Sequence, residues 1–171
     1  MKKKSLIIVD VQNDFLEGGA LAVPGANKEY VAAVEKIRDK FDQVILTADW
    51  HPENHVSFGE FPPHCLANQF GSKPAVADGD LLLKKGQEVD KEEFSSFGNG
   101  LHVDKIEGDE VYVIGLAGDY CVKQTLLDLL QFAPEKKLYA ITDLIYSIDG
   151  TTYGPTDYFD KKVKFVTSSQ L

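Results

Sequence analysis

Val113-Ile-Gly-Leu-Ala-Gly-Asp-Tyr-Cys-Val122 carries the chain from an apolar strand into an amphipathic helix and delivers a cysteine to the turn between them. Residues 111–115 are apolar and β-branched, as in a buried strand, and residues 122–132 have leucines at helical spacing. Cys121 is therefore predicted in the first turn of a helix. Unpaired backbone N–H groups and the positive end of the helix dipole would favour its thiolate there. The alternative is a small buried core residue, because free cysteine is among the most buried residue types.

Strand-like and helical segments alternate on both sides of this turn. Apolar, β-branched runs cover residues 5–10, 43–48, 111–115, 137–142 and 163–166, and amphipathic helices are predicted over 27–41 and 121–132. The strands are apolar on both faces, which is typical of a parallel sheet covered by helices on both sides. We therefore predict an α/β fold: a single domain over residues 1–171, with a doubly wound, mainly parallel sheet in a Rossmann-like three-layer α/β/α arrangement.

Composition narrows the classes of function. The 171 residues are 43% hydrophobic and carry a net charge of −9, from 18 basic and 27 acidic residues. This charge disfavours nonspecific binding to nucleic acid or to anionic membranes. The two cysteines, Cys65 and Cys121, argue against a disulfide scaffold and fit a reducing compartment. No secretory signal, membrane span or phosphate-binding glycine motif is recognisable, so we expect a cytoplasmic protein that is not a nucleotide enzyme.

Polar residues follow several of the predicted strands, and ligands of doubly wound proteins bind at such strand ends. Asp10 ends the first strand, Asp49 and His51 end the second, Cys121 follows a central strand, and Asp143 ends a later one. Because the carboxyl ends of parallel strands meet at one edge of the sheet, we expect these five side chains to converge in space.

Asp10 has two interpretations. It follows the apolar run at residues 7–9, where loss of water would raise its pKa and suit a general base. A capping role is the alternative, although Asp14 is the better capping candidate. One lysine of the Lys84-Lys-Gly86 segment could end a further short strand beginning at residue 81, where its ammonium would stabilise a thiolate. A solvated surface lysine is the commoner outcome.

Three of the four histidines lie between positions 49 and 65, in an irregular insertion around residues 49–99 that is rich in Pro, Gly and acidic residues. Loops this long often carry function. Histidine and carboxylate are ligands for zinc, iron or manganese. Asp49 and His51 are two residues apart, so extended backbone points both to one side, and His64 can close the site. The sequence thus predicts an open metal site, whereas isolated His102 is predicted to be a surface residue.

Five motifs together resemble the nicotinamidases (pyrazinamidases) of the isochorismatase-like cysteine hydrolase superfamily, in the family order and through nearly the whole chain. They are Asp-Val-Gln-Asn-Asp-Phe at 10–15, Asp-Trp-His-Pro at 49–52, Pro-Pro-His-Cys at 62–65, Lys-Gly at 85–86 and Gly-Leu-Ala-Gly-Asp-Tyr-Cys-Val at 115–122. The resemblance implies a catalytic triad of Asp10, Lys85 and Cys121. It selects Lys85 rather than Lys84, because the family lysine directly precedes the glycine.

The resemblance also implies a metal centre. One divalent ion, zinc in the first place with iron or manganese as alternatives, would be held by Asp49, His51 and His64. Glu60 would lie at or near the metal, bound directly or through water.

Further expectations concern the pocket. The family places a cis peptide before Ala117, which turns the N–H groups of Ala117 and Cys121 toward one point and would form an oxyanion hole. The resemblance implies aromatic walls around the substrate ring at Phe15, Phe61 and Phe94.

The implied activity is hydrolysis of nicotinamide, and also of pyrazinamide, through a cysteine thioester, with the metal positioning the pyridine ring. Such an enzyme would serve NAD salvage, and a homo-oligomer stays open. The chain departs from the family pattern at three places: Phe61 replaces the usual tryptophan, residues 66–70 lack the usual Val-x-Gly-Thr, and Gly118 replaces a common threonine. The first two bear on substrate range. The alternatives are an amidase for another small amide, an isochorismatase-type hydrolase and a noncatalytic binding protein. The metal ligands argue against isochorismatase, and the triad argues against a protein that only binds.

Overall fold

The computed structural model describes residues 2–155 and 159–171, and six parallel strands form its centre. They lie side by side in the order β3-β2-β1-β4-β5-β6, which is the order of a doubly wound dinucleotide-binding sheet. The predicted α/β fold is confirmed, and the short strand suggested near residue 81 is β3. The strands are β1 (Lys4–Val9), β2 (Gln43–Asp49), β3 (Leu81–Lys85), β4 (Glu110–Leu116), β5 (Lys137–Tyr146) and β6 (Val163–Val166).

Two α-helices cover opposite faces of the sheet. Helix α1 (Lys28–Ile37) begins where the Asn27 side chain accepts a hydrogen bond from the Tyr30 N–H, and it packs in the same cluster as Leu6 of β1. Helix α2 (Lys123–Phe132) packs with Ile7, the next residue of that strand, because successive side chains point to opposite faces. The result is the three-layer arrangement. Within the described ranges, no helix is long and apolar enough to cross a membrane.

The insertion between β2 and β4 contains β3 and short 3₁₀ turns, and buried polar side chains hold it against the sheet. The Gln12 side chain donates to the carbonyls of Asp49 and Ser72, each at 2.8 Å, and accepts from the Asp49 N–H at 2.9 Å. The Asp14 carboxylate accepts from the Cys65 N–H at 2.7 Å, which is a contact between distant loops rather than a helix cap. These contacts fix the loops on which the predicted metal ligands lie.

The prediction that Asp143 ends a strand beside the other site residues is wrong. The strand does not end there but continues to Tyr146, with a shift of register against β4 that keeps Leu144 and Ile145 buried. The Asp143 side chain is exposed and accepts hydrogen bonds from the backbone N–H and the hydroxyl of Ser168. It therefore lies outside the set of side chains that converge at the strand ends.

Candidate active site and metal centre

Four neighbouring strands deliver four buried polar side chains to one edge of the sheet. Asp10 follows β1, Asp49 ends β2, Lys85 ends β3, and Cys121 lies in the turn after β4. The pairing of β2 with β3 sets Asp49 directly beside Lys85. All four residues are buried, so water screens their charges poorly.

The Lys85 ammonium is the centre of this cluster. Its Nζ lies 2.8 Å from Asp10 Oδ2, 2.5 Å from Asp49 Oδ1 and 3.5 Å from Cys121 Sγ. Burial alone would lower the pKa of Lys85, but the carboxylates of Asp10 and Asp49 raise it well above its usual range. The lysine is therefore a permanent buried cation that touches both carboxylates and the thiol.

The two carboxylates beside this cation differ in proton affinity. Burial raises the pKa of Asp10 despite the attraction of Lys85, and the Thr47 hydroxyl donates to Asp10 Oδ1 at 2.7 Å. Burial would also raise the pKa of Asp49, but Lys85 and two adjacent histidines hold it well below its usual range. When two neighbouring carboxylates differ in pKa, the one with the raised pKa can carry a proton while the other stays charged. Asp10 is suited to carry the proton, and Asp49 is suited to stay ionised.

Cys121 corrects one expectation. It lies in a π-helical turn, Gly118–Val122, that precedes α2 rather than in the first turn of that helix. Burial raises the pKa of Cys121 well above its usual range, and Asp10 and Asp49 raise it further, although Lys85 acts in the opposite direction. The prediction that the turn favours the thiolate is therefore wrong, because loss of water and two carboxylates outweigh one ammonium. The resting side chain is a thiol that needs a base.

The turn before Cys121 has a constrained backbone. The Leu116–Ala117 peptide is cis, as the resemblance implies. Gly115 has a φ of 126°, and a Cβ there would lie 2.1 Å from the Val9 carbonyl oxygen, so only glycine fits this strand end. This close approach of β4 to β1 brings the cysteine turn next to Asp10.

The three predicted metal ligands lie together. Ligand atoms of Asp49, His51 and His64 are all within 4.8 Å of one another, and all three residues are buried. The Nδ1 atoms of His51 and His64 each lie 2.8 Å from a backbone carbonyl, which fixes the tautomer that leaves Nε2 free to bind a metal. Both Nε2 atoms face Asp49 Oδ2, at 3.6 and 3.7 Å. The Nε2 atom of His51 is buried and has no hydrogen-bond partner in the described part of the chain. The residues therefore fit a divalent metal.

Glu60, Cys65 and His102 lie outside this trio. Glu60 is exposed and does not belong to the group of ligand atoms, so only its bridging through water stays a prediction. Cys65 is a free, fully buried thiol, and His102 is partly exposed and does not belong to the group of ligand atoms.

A cavity opens onto Cys121 and onto two of the three metal-ligand residues, Asp49 and His64. All three predicted aromatic walls, together with Ala117, line it. It encloses about 20 Å³, which is room for roughly one water molecule. A ligand larger than water therefore needs lining side chains to move apart. The full lining is Phe15, Leu21, Asp49, Ser57, Phe61, His64, Glu92, Phe94, Ala117, Tyr120, Cys121 and Ile148.

Comparison with known proteins agrees with this geometry. A family model described as an isochorismatase domain matches residues 4–151. The chain belongs to the isochorismatase family. It is 33% identical to the nicotinamidase of Escherichia coli over 84% of this chain and 83% of that protein. It is 32% identical to the nicotinamidase/pyrazinamidase of Mycobacterium tuberculosis over 97% of this chain and 100% of that protein. The predicted family resemblance is confirmed.

Solved structures support the same assignment. The pyrazinamidase of Pyrococcus horikoshii in complex with zinc superposes with a TM-score of 0.80 at 33% identity, covering 96% of this chain and 99% of that one. The PnC1 protein of L. infantum in complex with nicotinate has a TM-score of 0.79 at 25% identity, covering 98% and 94%. Isochorismatase-family members of known structure thus share the fold over nearly their whole length.

Several residues of this isochorismatase-family site were not predicted from the sequence. Tyr120 lines the cavity and lies 5.1 Å from Phe61 and 5.5 Å from Phe94 between ring centroids. Its place immediately before Cys121 was a signal that could have found it. His55 stacks on His51 with ring centroids 4.0 Å apart, and neither nitrogen is free, because one bonds to the Lys91 carbonyl and the other to the Ser57 N–H. No spacing rule separates such a supporting histidine from a ligand.

Proposed function

We propose that this protein is a nicotinamidase that hydrolyses the carboxamide of nicotinamide, and also of pyrazinamide, to the carboxylate and ammonia. One observation carries the proposal: the Lys85 ammonium contacts Asp10, Asp49 and Cys121 beneath a cavity whose wall also includes a buried metal-ligand histidine. Relatives named nicotinamidase match most of the chain, which supports this choice of amide.

The first half of the reaction forms a thioester. Asp10 accepts the Cys121 proton, and Lys85 stabilises the thiolate because its Nζ lies 3.5 Å from the sulfur. The sulfur attacks the amide carbon, and the N–H groups of Ala117 and Cys121 hold the oxygen that becomes negative. Asp10 then gives its proton to the amide nitrogen, which leaves as ammonia while the carbon–nitrogen bond breaks.

The second half returns the enzyme to its starting state. Asp10, again ionised, takes a proton from a water molecule, whose oxygen attacks the thioester carbon. The carbon–sulfur bond breaks, the carboxylic acid product leaves and ionises in water, and the Cys121 thiolate recovers a proton from Asp10. One amide and one water thus give one carboxylic acid and one ammonia.

The metal centre and the aromatic walls would position the substrate. Asp49, His51 and His64 would hold one divalent ion, with Glu60 reached through water; we propose zinc, with iron or manganese as alternatives. Such an ion would supply a Lewis acid, which would orient the pyridine ring through its nitrogen and polarise water. The side chains of Phe15, Phe61 and Phe94 would enclose the ring, in line with the cavity that they form.

We further propose a cytoplasmic setting and a role in NAD salvage. Both cysteines are free, which favours a reducing compartment. All of the proposed catalytic and metal residues come from one chain, so the proposed reaction does not depend on whether a homo-oligomer forms.

An ammonia-release assay tests the function. Metal-loaded protein should release ammonia from nicotinamide and pyrazinamide, chelation should abolish most of this activity, and benzamide, which lacks the ring nitrogen, should be a poor substrate. Benzamide hydrolysed as fast as nicotinamide would contradict the proposed role of the metal. The Cys121→Ala variant should be inactive, and undiminished ammonia release by it would refute the covalent mechanism.

A further inference from the structure

One loop segment, residues 91–94, contacts both halves of the site. The Lys91 carbonyl accepts a hydrogen bond from His55, which stacks on the metal-ligand histidine, and Phe94 forms a wall of the cavity. Between them lies Glu93, which is not predicted from any motif and is not part of the proposed chemistry. Its side chain is 26% exposed, so its contacts are not a consequence of complete burial.

Glu93 makes two hydrogen bonds to consecutive residues at the end of β3. Its backbone carbonyl accepts from Lys85 Nζ at 3.3 Å, and its carboxylate Oε1 accepts from the Gly86 N–H at 3.1 Å. The bond from the carboxylate to Gly86 therefore holds the backbone of Glu93 in place, so that the Glu93 carbonyl stays within hydrogen-bond distance of the Lys85 ammonium. The Lys85 ammonium has three protons to donate. The Glu93 carbonyl is a neutral acceptor near it, in addition to the two carboxylates and the thiol.

Gly86 connects the Glu93 carboxylate to His51, one of the three metal-ligand residues. Its carbonyl lies 2.8 Å from His51 Nδ1, and a Cβ at Gly86 would lie 2.4 Å from His51 Cε1. The backbone here is packed against the imidazole and cannot shift without moving it. A displacement of Gly86 therefore changes the orientation of His51 and the direction of Nε2.

We propose that Glu93 is a positioning residue that fixes the Lys85 ammonium and the His51 imidazole relative to each other. Its carbonyl contacts Lys85 directly, and its carboxylate acts on His51 through Gly86. This inference rests on the proposed function in one respect, since the position of Lys85 matters to turnover only if Cys121 is the nucleophile. The role needs an acceptor oxygen at Oε1 and not a negative charge. Glutamine should therefore replace Glu93, whereas alanine should not.

The test compares Glu93→Gln and Glu93→Ala with Glu88→Ala as a matched control. Glu88 is an exposed acid in the same loop, within 3.8 Å of Lys91 Nζ, and takes no part in the site. Three measurements are made on the full chain: kcat and KM for nicotinamide, zinc affinity by competition with a chelator, and the rate of iodoacetamide alkylation at Cys121, read from its peptide by mass spectrometry.

Loss of one hydrogen bond corresponds to a change of about fivefold. Glu93→Ala should lower kcat and the Cys121 alkylation rate by about fivefold each and weaken zinc binding by a similar factor, with little change in KM. Glu93→Gln and Glu88→Ala should stay within about twofold of the wild type. Equal losses in Glu93→Gln and Glu93→Ala would overturn the proposal, as would loss of folding stability with unchanged zinc affinity and alkylation.

The two proposals can fail separately. Wild-type protein that does not hydrolyse nicotinamide would refute the proposed function, yet zinc affinity and alkylation would still report the position of His51 and Lys85. Active wild-type protein with an unaffected Glu93→Ala variant would refute only the role of Glu93.

Discussion

Replacement of Lys85 by methionine should destabilise the metal-free protein strongly, because it removes the one cation from a buried group with two carboxylates. The ammonium lies 2.8 Å from Asp10 and 2.5 Å from Asp49, and Lys85 is only 2% exposed. Removing one partner of a buried ion pair costs about 3–5 kcal/mol. For a domain of this size, the melting temperature should fall by roughly 6–20 °C.

The pH dependence of this loss has a definite sign. Without the lysine, burial raises the pKa of Asp10 further above the value in the unfolded chain, and the pKa of Asp49 rises because it loses the largest cause of its lowering. A group with a raised folded pKa contributes stability below its unfolded pKa and loses that contribution as pH rises through the folded pKa. In the wild type the pKa of Asp49 is lowered instead, so its contribution is lost as pH falls. The gap between the two proteins should therefore be small near pH 4 and widen toward neutral pH.

Thermal unfolding followed by circular dichroism, in chelator and between about pH 4 and pH 8, measures both quantities. Lys84→Met is the matched control, since the Lys84 ammonium is exposed and lies 4.1 Å from the Trp50 ring centroid. Losing that cation–π contact should cost less than about 1 kcal/mol. A Lys85→Met loss no larger than that of the control, or one that does not change with pH, would refute this account of the buried charges.

Two further predictions concern the supports of the site. Gly86→Ala places a methyl group on a backbone with a φ of 66°, 2.4 Å from His51 Cε1. It should weaken zinc binding, measured by competition with a chelator, by more than about tenfold. The control Gly59→Ala should leave zinc binding unchanged, because a Cβ there meets nothing within 4 Å. Thr47→Val removes the hydroxyl that donates to Asp10 Oδ1 at 2.7 Å, so the pKa of Asp10 should rise and the acid limb of the kcat/KM profile should move to higher pH. An acid limb that stays in place would show that Asp10 does not control it.

The fold and the centre of the site could be predicted because each depends on strong local signals. The apolar run at residues 5–10 predicts a strand buried on both faces, and β1 is the central strand on which α1 and α2 pack from opposite sides. Strand ends then place Asp10, Asp49 and Cys121 together without further information. The prediction needed only the fact that the strands are parallel.

What sequence did not predict depends on packing between distant segments. Asp143 resembles a strand end because it is the first charge after an apolar run, but a register shift against β4 lets β5 continue beyond it. The pKa of Cys121 is raised first by burial and then by Asp10 and Asp49, against the effect of Lys85, so the position at a helix start is a poor guide to it. Glu93 is placed by its contacts with Lys85 and Gly86, which no periodic pattern encodes.

The charge balance at the strand ends supports a bound cation independently of the ligand geometry. Asp10 and Asp49 share one ammonium, and Asp49 divides its two oxygens between the two halves of the site: Oδ1 faces Lys85, and Oδ2 faces the histidine nitrogens. With Asp10 ionised, as thiol deprotonation requires, the buried group carries one more negative than positive charge. An uncompensated buried charge is costly. A divalent ion at Oδ2 would change this net charge from one negative to one positive, which favours ionised Asp10 and the Cys121 thiolate. The step that needs Asp10 as a base and the fit of the trio for a metal therefore favour the same occupant.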